Sequence, residues 1–166
     1  MHSVLGEAND VQKLGKVYFQ RAKLDEAEAS FKHAVELHRQ AHDILGEADD
    51  VQNLGEVYLG RDELDKAEAL FKTAVELHQQ AHDVLGEGNA VQKLGRVYLR
   101  RDQLNEAEAS FEHAIELHRQ VQDVLGEAND AQNLEEVYLR RDKLNEAEAS
   151  FETVAGTTKP EIIILS

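Results

Sequence analysis

The stretch NEAEASFE occurs twice, at residues 105–112 and 145–152, and the two copies begin 40 residues apart. Related stretches at the same spacing read DEAEASFK at residues 25–32 and DKAEALFK at residues 65–72. Self-similarity at a fixed period of this size is typical of repeat architectures, in which each unit stacks on its neighbours. The period therefore predicts a stacked array rather than a single globular core.

Each 40-residue unit carries the apolar pattern of two helices. In the first helix, Val11, Leu14 and Tyr18 follow the i, i+3, i+7 spacing that places side chains on one helical face. No strand pattern occurs inside the repeats. We therefore predict an all-α fold, an α-solenoid of stacked antiparallel helix pairs. The apolar side of the predicted second helix consists of Ala27, Phe31, Ala34, Val35, Leu37, Ala41 and Leu45.

Local signals predict where the second helix begins and ends. Asp25 follows the turn QRAKL and precedes Glu28 by three residues, which is the spacing of a capping box. Gly46 follows Leu45, and glycine commonly closes a helix in the left-handed conformation. We therefore predict a second helix from about Glu26 to about Leu45. Equivalent cap pairs are Asp65/Glu68, Asn105/Glu108 and Asn145/Glu148, and equivalent turns are GRDEL, RRDQL and RRDKL.

The period divides the chain into one array with two short flanking segments. Residues 1–7 match the tail of a preceding repeat or form an N-terminal extension, and residues 155–166 form a C-terminal tail. The array covers residues 8–154, with repeats at 8–47, 48–87 and 88–127 and a truncated repeat at 128–154.

Composition excludes several classes of partner for this chain of 166 residues. Its formal net charge of −15 opposes a broad surface for nucleic acid or an anionic membrane, because both need clustered Lys and Arg. The absence of cysteine excludes disulfides and zinc–thiolate sites. The first ten residues lack the pattern of a signal peptide, and no apolar run approaches the roughly 20 residues of a membrane helix. We therefore expect a cytoplasmic protein with no nucleic acid and no membrane among its partners.

Nothing in the sequence predicts catalysis. The chain has neither a glycine-rich phosphate loop nor a cysteine nucleophile. Ser30, Ser110 and Ser150 occupy one repeated position beside the phenylalanine, and a position copied in three units is better interpreted as packing than as a nucleophile. We therefore expect a protein that is not an enzyme and needs no cofactor.

The recurring residues resemble the tetratricopeptide repeat (TPR) family. The first unit carries the family's Leu-Gly-x-x-Tyr motif on its first helix and the Ala, Phe and Ala positions on its second. The fourth unit departs from the pattern, because Glu135 replaces the glycine. The matching residues are Leu14, Gly15, Tyr18, Ala27, Phe31 and Ala34, then Leu54, Gly55, Tyr58, Ala67, Phe71 and Ala74, then Leu94, Gly95, Tyr98, Ala107, Phe111 and Ala114, and finally Leu134, Tyr138, Ala147 and Phe151.

The length of the repeat points to a variety of this family. The usual repeat has 34 residues and a proline after the second helix, whereas this repeat has 40 residues and no proline there. The linker H-D-x-L-G-E-A resembles the 40-residue variety of scaffolds that regulate G-protein signalling and spindle orientation. It also resembles TPR arrays attached to fungal NACHT signalling proteins. The resemblance implies a non-enzymatic scaffold for protein–protein interaction.

The resemblance also implies where a peptide or partner protein binds, namely in the concave groove lined by the first helices. Amides at repeated groove positions can donate to and accept from a peptide backbone, and the basic residues can pair with an acidic ligand. The alternative interpretation is a set of solvated polar residues. The candidate residues are Asn9, Gln12, Lys16, Phe19 and Gln20 in the first unit, Asp49, Gln52, Glu56, Leu59 and Gly60 in the second, Asn89, Gln92, Arg96, Leu99 and Arg100 in the third, and Asn129, Gln132, Glu136, Leu139 and Arg140 in the fourth.

Histidines provide a second candidate site. His38/His42 and His78/His82 have the i, i+4 spacing of a metal pair on one helix, but Gln122 interrupts the pattern in the third unit. We therefore predict no metal site and expect His38, His78 and His118 to be partly buried donors to neighbouring side chains. Protonation of all eight histidines would change the charge from −15 to −7, so pH-sensitive association is a further hypothesis.

The two ends of the array lack obvious caps. Residues 161–166 read EIIILS, which has strand-like character, and the helix pattern weakens after Val154. Terminal repeats normally carry a polar outer face, so uncapped ends predict a homo-oligomer. The alternatives are that the chain is part of a larger protein, or that its tail folds back over the fourth unit.

Three functions therefore remain open at the level of sequence. The leading prediction is a scaffold that holds a peptide or partner protein in its groove. The alternatives are a self-assembling structural repeat protein, built as an end-to-end or swapped oligomer, and a regulatory or sensor part of a larger signalling NTPase. The amino-acid pattern does not name the ligand.

Overall fold

The fold is a stack of antiparallel helices. The computed structural model describes the backbone of residues 3–157 and the side chains of residues 3–149. The predicted tail EIIILS lies outside the described residues. Within residues 3–157 all regular structure is helical, which confirms the predicted fold class. The helices are α1 (Val4–Gln20), α2 (Leu24–Gln40), α3 (Ile44–Gly60), α4 (Leu64–Gln80), α5 (Val84–Arg100), α6 (Leu104–Gln120) and α7 (Val124–Thr157).

The first six helices have the same length and are followed by the same kind of turn. Each has 17 residues, and three residues separate it from the next. The middle residue of every turn is left-handed, with φ between 55° and 61°, although none is glycine. The backbone shape therefore repeats every 20 residues, which is half the period of the sequence. These turn residues are Ala22, His42, Asp62, His82, Asp102 and Gln122.

The predicted ends of the second helix are wrong. α2 begins at Leu24 after an N-cap, Lys23, that makes no side-chain capping bond, so Asp25 and Glu28 lie inside the helix. The helix already ends at Gln40, because the backbone makes a left-handed turn at His42. Gly46 lies in the first turn of α3, where its N–H donates to the Asp43 carboxylate at 3.1 Å. The cap signal therefore belongs to Asp43 at the start of the first helix. Asp65/Glu68 and Asn105/Glu108 lie inside their helices in the same way.

The first helix of the chain is capped in the same way as α3. Ser3 caps α1 by accepting a hydrogen bond from Gly6 N–H at 3.0 Å. Residues 3–7 therefore form the cap and first turn of α1, not the end of a preceding helix. The division of the chain into units depends on where counting begins, and it remains a prediction.

Each hairpin is held together by a phenylalanine packed on a glycine. Phe31, Phe71 and Phe111 are at most 1% exposed. A Cβ added to Gly15 would lie 2.8 Å from the Phe31 ring, and the same distance separates the corresponding atoms at Gly55 and Gly95. Any side chain at these glycines would therefore push the two helices of the hairpin apart. The alanines four residues before and three residues after each phenylalanine are also fully buried.

Successive hairpins are joined by a repeated polar clasp. Tyr58 on α3 donates its hydroxyl to Glu28 on α2 at 2.6 Å, and the Arg61 guanidinium donates to the same carboxylate. Arg61 also contacts Asp25 at 2.5 Å. The residues predicted as helix caps are therefore the acidic half of this clasp. The same clasp recurs with Tyr98, Arg101, Glu68 and Asp65, and with Arg141, Glu108 and Asn105.

The fourth unit differs from the other three. α7 continues through residues 141–143, where a turn was predicted, and runs for 34 residues to Thr157. Asn145 and Glu148 are therefore inside a helix and cap nothing, and the helix extends past Val154. Glu135 stands where the other units have glycine, so a phenylalanine could not pack there as it does in the other hairpins. We attribute the open hairpin to the loss of that contact.

Hydropathy adds one negative finding. In the stretch from Ser3 to Thr157, none of the helices combines the length and the apolar character that crossing a membrane requires.

Candidate functional site

Two clefts lie between successive first helices, on the side of the array where the groove residues were predicted. The first has a volume of about 150 Å³ and opens between α1 and α3. The second has a volume of about 260 Å³ and opens between α5 and α7. The first cleft is lined by Lys16, Phe19, Gln20, Phe31, Asn53 and Glu56. The second is lined by Arg96, Leu99, Arg100, Asn133, Glu136 and Arg140.

The second cleft, called here the arginine cleft, has three guanidinium groups with different surroundings. Arg100 donates to the Leu59 carbonyl at 2.8 Å, and Arg140 donates to the Leu99 carbonyl at 3.0 Å. Each of these two therefore satisfies a carbonyl near the end of the preceding first helix. Arg96 is half-buried and makes no hydrogen bond or ion pair with the side chains described through residue 149. Arg96 is therefore the guanidinium available to an acidic ligand.

The glutamines of the predicted groove point into the junctions between hairpins. Gln92 donates its amide to Asp130 at 2.6 Å. Gln12 occupies the equivalent position beside Asp50, whose Oδ1 has no hydrogen-bond partner of normal geometry in the described structure. Two of the predicted peptide-binding amides, Gln12 and Gln92, therefore lie beside buried aspartates of the fold.

A buried histidine–aspartate pair lies at the first and third junctions. His38 Nδ1 is 2.6 Å from Asp50 Oδ2, and His118 Nδ1 is 2.6 Å from Asp130 Oδ2. All four side chains are fully buried. Burial raises the pKa of Asp50 to about 6, because the ionised carboxylate loses hydration, and the contacts with His38 and Gln12 offset only part of this effect. Burial raises the pKa of Asp130 for the same reason.

The middle junction lacks the carboxylate. Ala90 occupies the position of Asp50 and Asp130, and it is fully buried. His78 is buried without a hydrogen bond to either nitrogen, and the Gln52 carbonyl oxygen is also unpartnered. His78 Nδ1 lies 3.0 Å from Asp83 Oδ2, but this contact lacks hydrogen-bond geometry, so we treat it as electrostatic only. Of the three junctions, the middle one therefore has the most buried polar atoms without a hydrogen-bond partner.

The remaining candidate residues are spread along the groove side. Asn9, Asn129 and Gln132 are exposed, as is Lys16. Asp49 is half-buried, and burial raises its pKa. Glu56 pairs with Lys93 at 2.8 Å, and Asn89 lies 3.3 Å from His118. The candidates therefore form no single site, and their role in binding remains a prediction.

The three histidines predicted to be partly buried donors are fully buried. His38 and His118 contact neighbouring aspartates, whereas His78 has no hydrogen-bond partner, so the prediction is wrong for His78. The proposed i, i+4 pairs do not share a helix face, because His42 and His82 lie in left-handed turns beyond the ends of α2 and α4. No cluster of three or more metal-ligating side chains occurs in the described part of the chain.

Sequence reasoning missed three residues of the groove. Asn53 and Asn133 line the two clefts, and Lys93 lies between them in the ion pair with Glu56. All three occupy one position of the first helix, directly before the Leu-Gly motif. That shared position, directly before the leucine of the motif, was the signal that could have found them.

Comparison with solved structures places the fold among known helical arrays. BtubC (BKLC) from P. vanneervenii superposes with a TM-score of 0.73 at 16% identity, covering 96% of this chain and 68% of that chain. The N-terminal domain of stress-induced protein-1 (STI-1) from C. elegans gives 0.66 at 15% identity, covering 83% and 99%. The first TPR of Spaghetti (RPAP3), bound to the HSP90 peptide SRMEEVD, gives 0.65 at 18% identity, covering 86% and 98%. At these identities the similarity concerns the fold alone.

Sequence comparison identifies the family directly. No curated protein sequence matches the chain significantly. The family model of the tetratricopeptide repeat matches residues 7–80, 45–120 and 89–155, which together cover most of the chain. The chain therefore belongs to the tetratricopeptide repeat family.

Proposed function

We propose that this protein is a non-enzymatic scaffold that binds an acidic peptide segment of a partner protein in its concave groove. The family consists largely of interaction modules, and a structurally similar domain binds the HSP90 peptide SRMEEVD. That peptide contains three acidic side chains in seven residues. A cytoplasmic location is part of the same proposal.

The arginine cleft carries the proposal. Arg96 is free within the described structure, whereas Arg100 pairs with Asp62 and Arg140 pairs with Glu136 and Asp102. Arg96 therefore carries the unpaired positive charge of the cleft. A guanidinium can bind a carboxylate through two parallel hydrogen bonds, which favours acidic side chains over neutral ones. Asn133 places an amide in the same cleft, where it can donate to and accept from a peptide backbone.

The neighbouring groove surface supports an extended ligand. The first cleft offers Lys16 and Asn53 beside the apolar ring of Phe19. A segment that crosses both clefts would meet a basic residue and an asparagine at each. Glu56, which lines the first cleft, pairs with Lys93, so these two charges offset each other and charge recognition depends on Lys16 and Arg96.

A titration with labelled peptides tests this function. The peptide SRMEEVD is compared by fluorescence anisotropy at two salt concentrations with the analogue SRMQQVN, which has no acidic side chain and is amidated at the C-terminus. We expect the acidic peptide to bind more tightly, and Arg96→Ala to weaken it by about tenfold or more, equivalent to about 1.4 kcal/mol. Equal binding of both peptides, or unchanged binding to Arg96→Ala, contradicts the proposal.

A matched control separates the cleft from general charge. Arg39 lies on α2, away from both clefts, where its guanidinium contacts Glu36 and Glu47. Arg39→Ala removes the same charge, so it should leave peptide affinity within about twofold.

Self-association through the open ends is a second candidate function. Leu14 and Val17 on α1 are 45% and 40% exposed, whereas Val57, in the position equivalent to Val17, is fully buried. Apolar exposure of this kind at the edge of a stack favours a further stacked element. The third alternative, a regulatory part of a larger signalling NTPase, rests on the family resemblance alone.

A further inference from the structure

Every interior junction brings together the same two surfaces. The incoming first helix contributes an aliphatic residue, a tyrosine and an arginine, and the preceding second helix contributes a glutamate. We call the first surface the head, represented by Leu14, Val17 and Tyr18 on α1 and by Arg21 directly after it. We call the second surface the tail, represented on α7 by Leu144, Asn145, Ala147 and Glu148. One unpaired head and one unpaired tail are therefore left at the two ends of the described array.

The head on α1 is uncovered. Leu14 is 45% exposed, but the equivalent Leu54 is 6% exposed where α2 covers it. Arg21 makes no side-chain hydrogen bond or ion pair with any described residue, unlike Arg61 and Arg101 at the same position. The Tyr18 hydroxyl makes no hydrogen bond with the described residues, and the Lys23 ammonium lies 6.0 Å from the ring centroid. The head therefore has every group that the interior clasp uses and no glutamate to receive them.

The tail on α7 is the complement of this head. Residues 144–149 repeat the sequence of residues 104–109, LNEAEA, and all six are exposed. Their counterparts on α6 provide Glu108, which receives Arg141 at 2.7 Å. Glu148, in the position of Glu108, makes no hydrogen bond or ion pair with the described side chains. The identical sequence therefore presents a glutamate without an arginine.

We propose that a second copy of this chain supplies the missing partner, so that the tail of one molecule docks on the head of another. This inference rests on the self-association proposed above and specifies its register. Arg21 of one copy pairs with Glu148 of the next, Tyr18 donates to the same carboxylate, and the helix carrying Ala147 covers Leu14 and Val17. The occupant is a second copy because the chain itself carries the sequence that fills this position at the third junction.

The charges of the two surfaces agree with this polarity. The head contributes one guanidinium and the tail one carboxylate, and burying them beside an aliphatic patch strengthens their attraction relative to bulk water. A head and a tail are different surfaces, so one contact leaves a free head on one molecule and a free tail on the other. The average mass should therefore increase continuously with concentration unless two copies dock reciprocally, in which case it stops at the dimer.

Charge reversal tests the register on the full chain. The average mass is measured by sedimentation equilibrium over a wide concentration range. Arg21→Glu places two acidic groups at the contact, and Glu148→Arg places two basic groups there, so each single variant should associate at least about tenfold more weakly than the wild type. The double variant R21E/E148R, and an equimolar mixture of the two single variants, should both regain association.

A control variant changes the same charge elsewhere on α1. Lys13 is exposed and lies in the position of Asn53, on the groove side of the helix. Lys13→Glu should therefore leave association within about twofold of the wild type. Circular dichroism of each variant checks that helix content is retained.

The outcomes distinguish the two levels of the proposal. A wild-type chain that stays monomeric at all concentrations overturns both the self-association and the register. Association that persists in both single variants, or that the charge-swapped pairs do not regain, overturns only the register. Peptide binding in the arginine cleft is independent of either result.

Discussion

Residues 100–111 and 140–151 have the same sequence except at one position, Gln103 against Lys143, yet they adopt different structures. The first segment makes a left-handed turn at Asp102 and starts α6, whereas the second is one uninterrupted stretch of α7. The local sequence is therefore compatible with both a turn and a helix. We attribute the choice to tertiary contact, because Gly95 admits the Phe111 ring, whereas Glu135 replaces the corresponding glycine in the fourth unit.

The test with the largest expected loss of stability introduces the glutamate into an interior hairpin. Gly95→Glu places a side chain where a Cβ alone would lie 2.8 Å from the Phe111 ring. We expect a loss of about 4 kcal/mol or more in the free energy of unfolding, because the ring must leave a fully buried position and a charge replaces it. Urea denaturation followed by circular dichroism measures this change. Gly60→Glu is the control, since nothing lies within 4 Å of a Cβ at Gly60.

The converse substitution should close the fourth hairpin. Glu135→Gly restores the glycine, so residues 144–157 can fold back against the first half of α7. Residues 124 and 157 are about 50 Å apart along a continuous helix and would come within about 15 Å in a closed hairpin. Spin labels at these two positions measure the distance directly, and closure should add about 2 kcal/mol of stability from the burial of Phe151. An unchanged long distance would show that the glycine is not decisive.

The three junctions offer a second comparison of the same kind. Asp50→Ala leaves His38 buried without its partner, and we expect a loss of about 2 kcal/mol. Ala90→Asp supplies the middle junction with the carboxylate that His78 and Gln52 lack, and we expect a gain of about 1 kcal/mol. Thermal and urea unfolding measure both values. If both substitutions lowered the free energy of unfolding by the same amount, the buried histidine–aspartate pair would contribute nothing beyond packing.

The clasp should have the smallest effect, and it depends on pH. Contacts with Lys32, Tyr58 and Arg61 lower the pKa of Glu28 to about 2 from the ordinary value of 4.5. A carboxylate with a lowered folded-state pKa stabilises the fold above pH 4.5, and this contribution is lost as the pH falls from 4.5 to 2. Glu28→Gln should therefore cost about 1 kcal/mol at pH 7, after allowance for solvent screening, and almost nothing near pH 2.

Glu148→Gln is the matched control for that measurement. It removes the same carboxylate at the open end, where no described residue receives it. In dilute solution, where chains are separate, this variant should unfold with the wild-type free energy at both pH values. A cost at pH 7 equal to that of Glu28→Gln would contradict the distinction between interior and end.

The fold was predictable because its main signals are repeated in phase. The spacing of Leu14, Gly15 and Tyr18, together with Ala27 and Phe31, specifies two packed helices in each unit. The helix ends were predicted wrongly at Asp25 and Gly46, since an acidic residue can cap a helix or join a clasp, and only the position of its partner decides which. That partner, Arg61, lies 36 residues away.

The site was less predictable because its contacts cross between units. Gln12 and Gln92 have the composition of peptide-binding amides, but their neighbours Asp50 and Asp130 lie 38 residues further along the chain and turn them inward. The open fourth hairpin was also beyond local prediction, since the sequence around residue 142 is almost that of a real turn. The substitution at Glu135 was visible in the sequence, but its effect required knowing what the glycine touches.

The shape of the chain repeats every 20 residues, whereas its chemistry repeats every 40. An insertion or deletion of 20 residues would keep every helix and every left-handed turn in step. It would nevertheless place either two second helices side by side, with phenylalanine against phenylalanine, or two first helices side by side, with glycine against glycine. Lengthening or shortening this protein therefore has to proceed by whole hairpins, although the backbone alone would accept half of one.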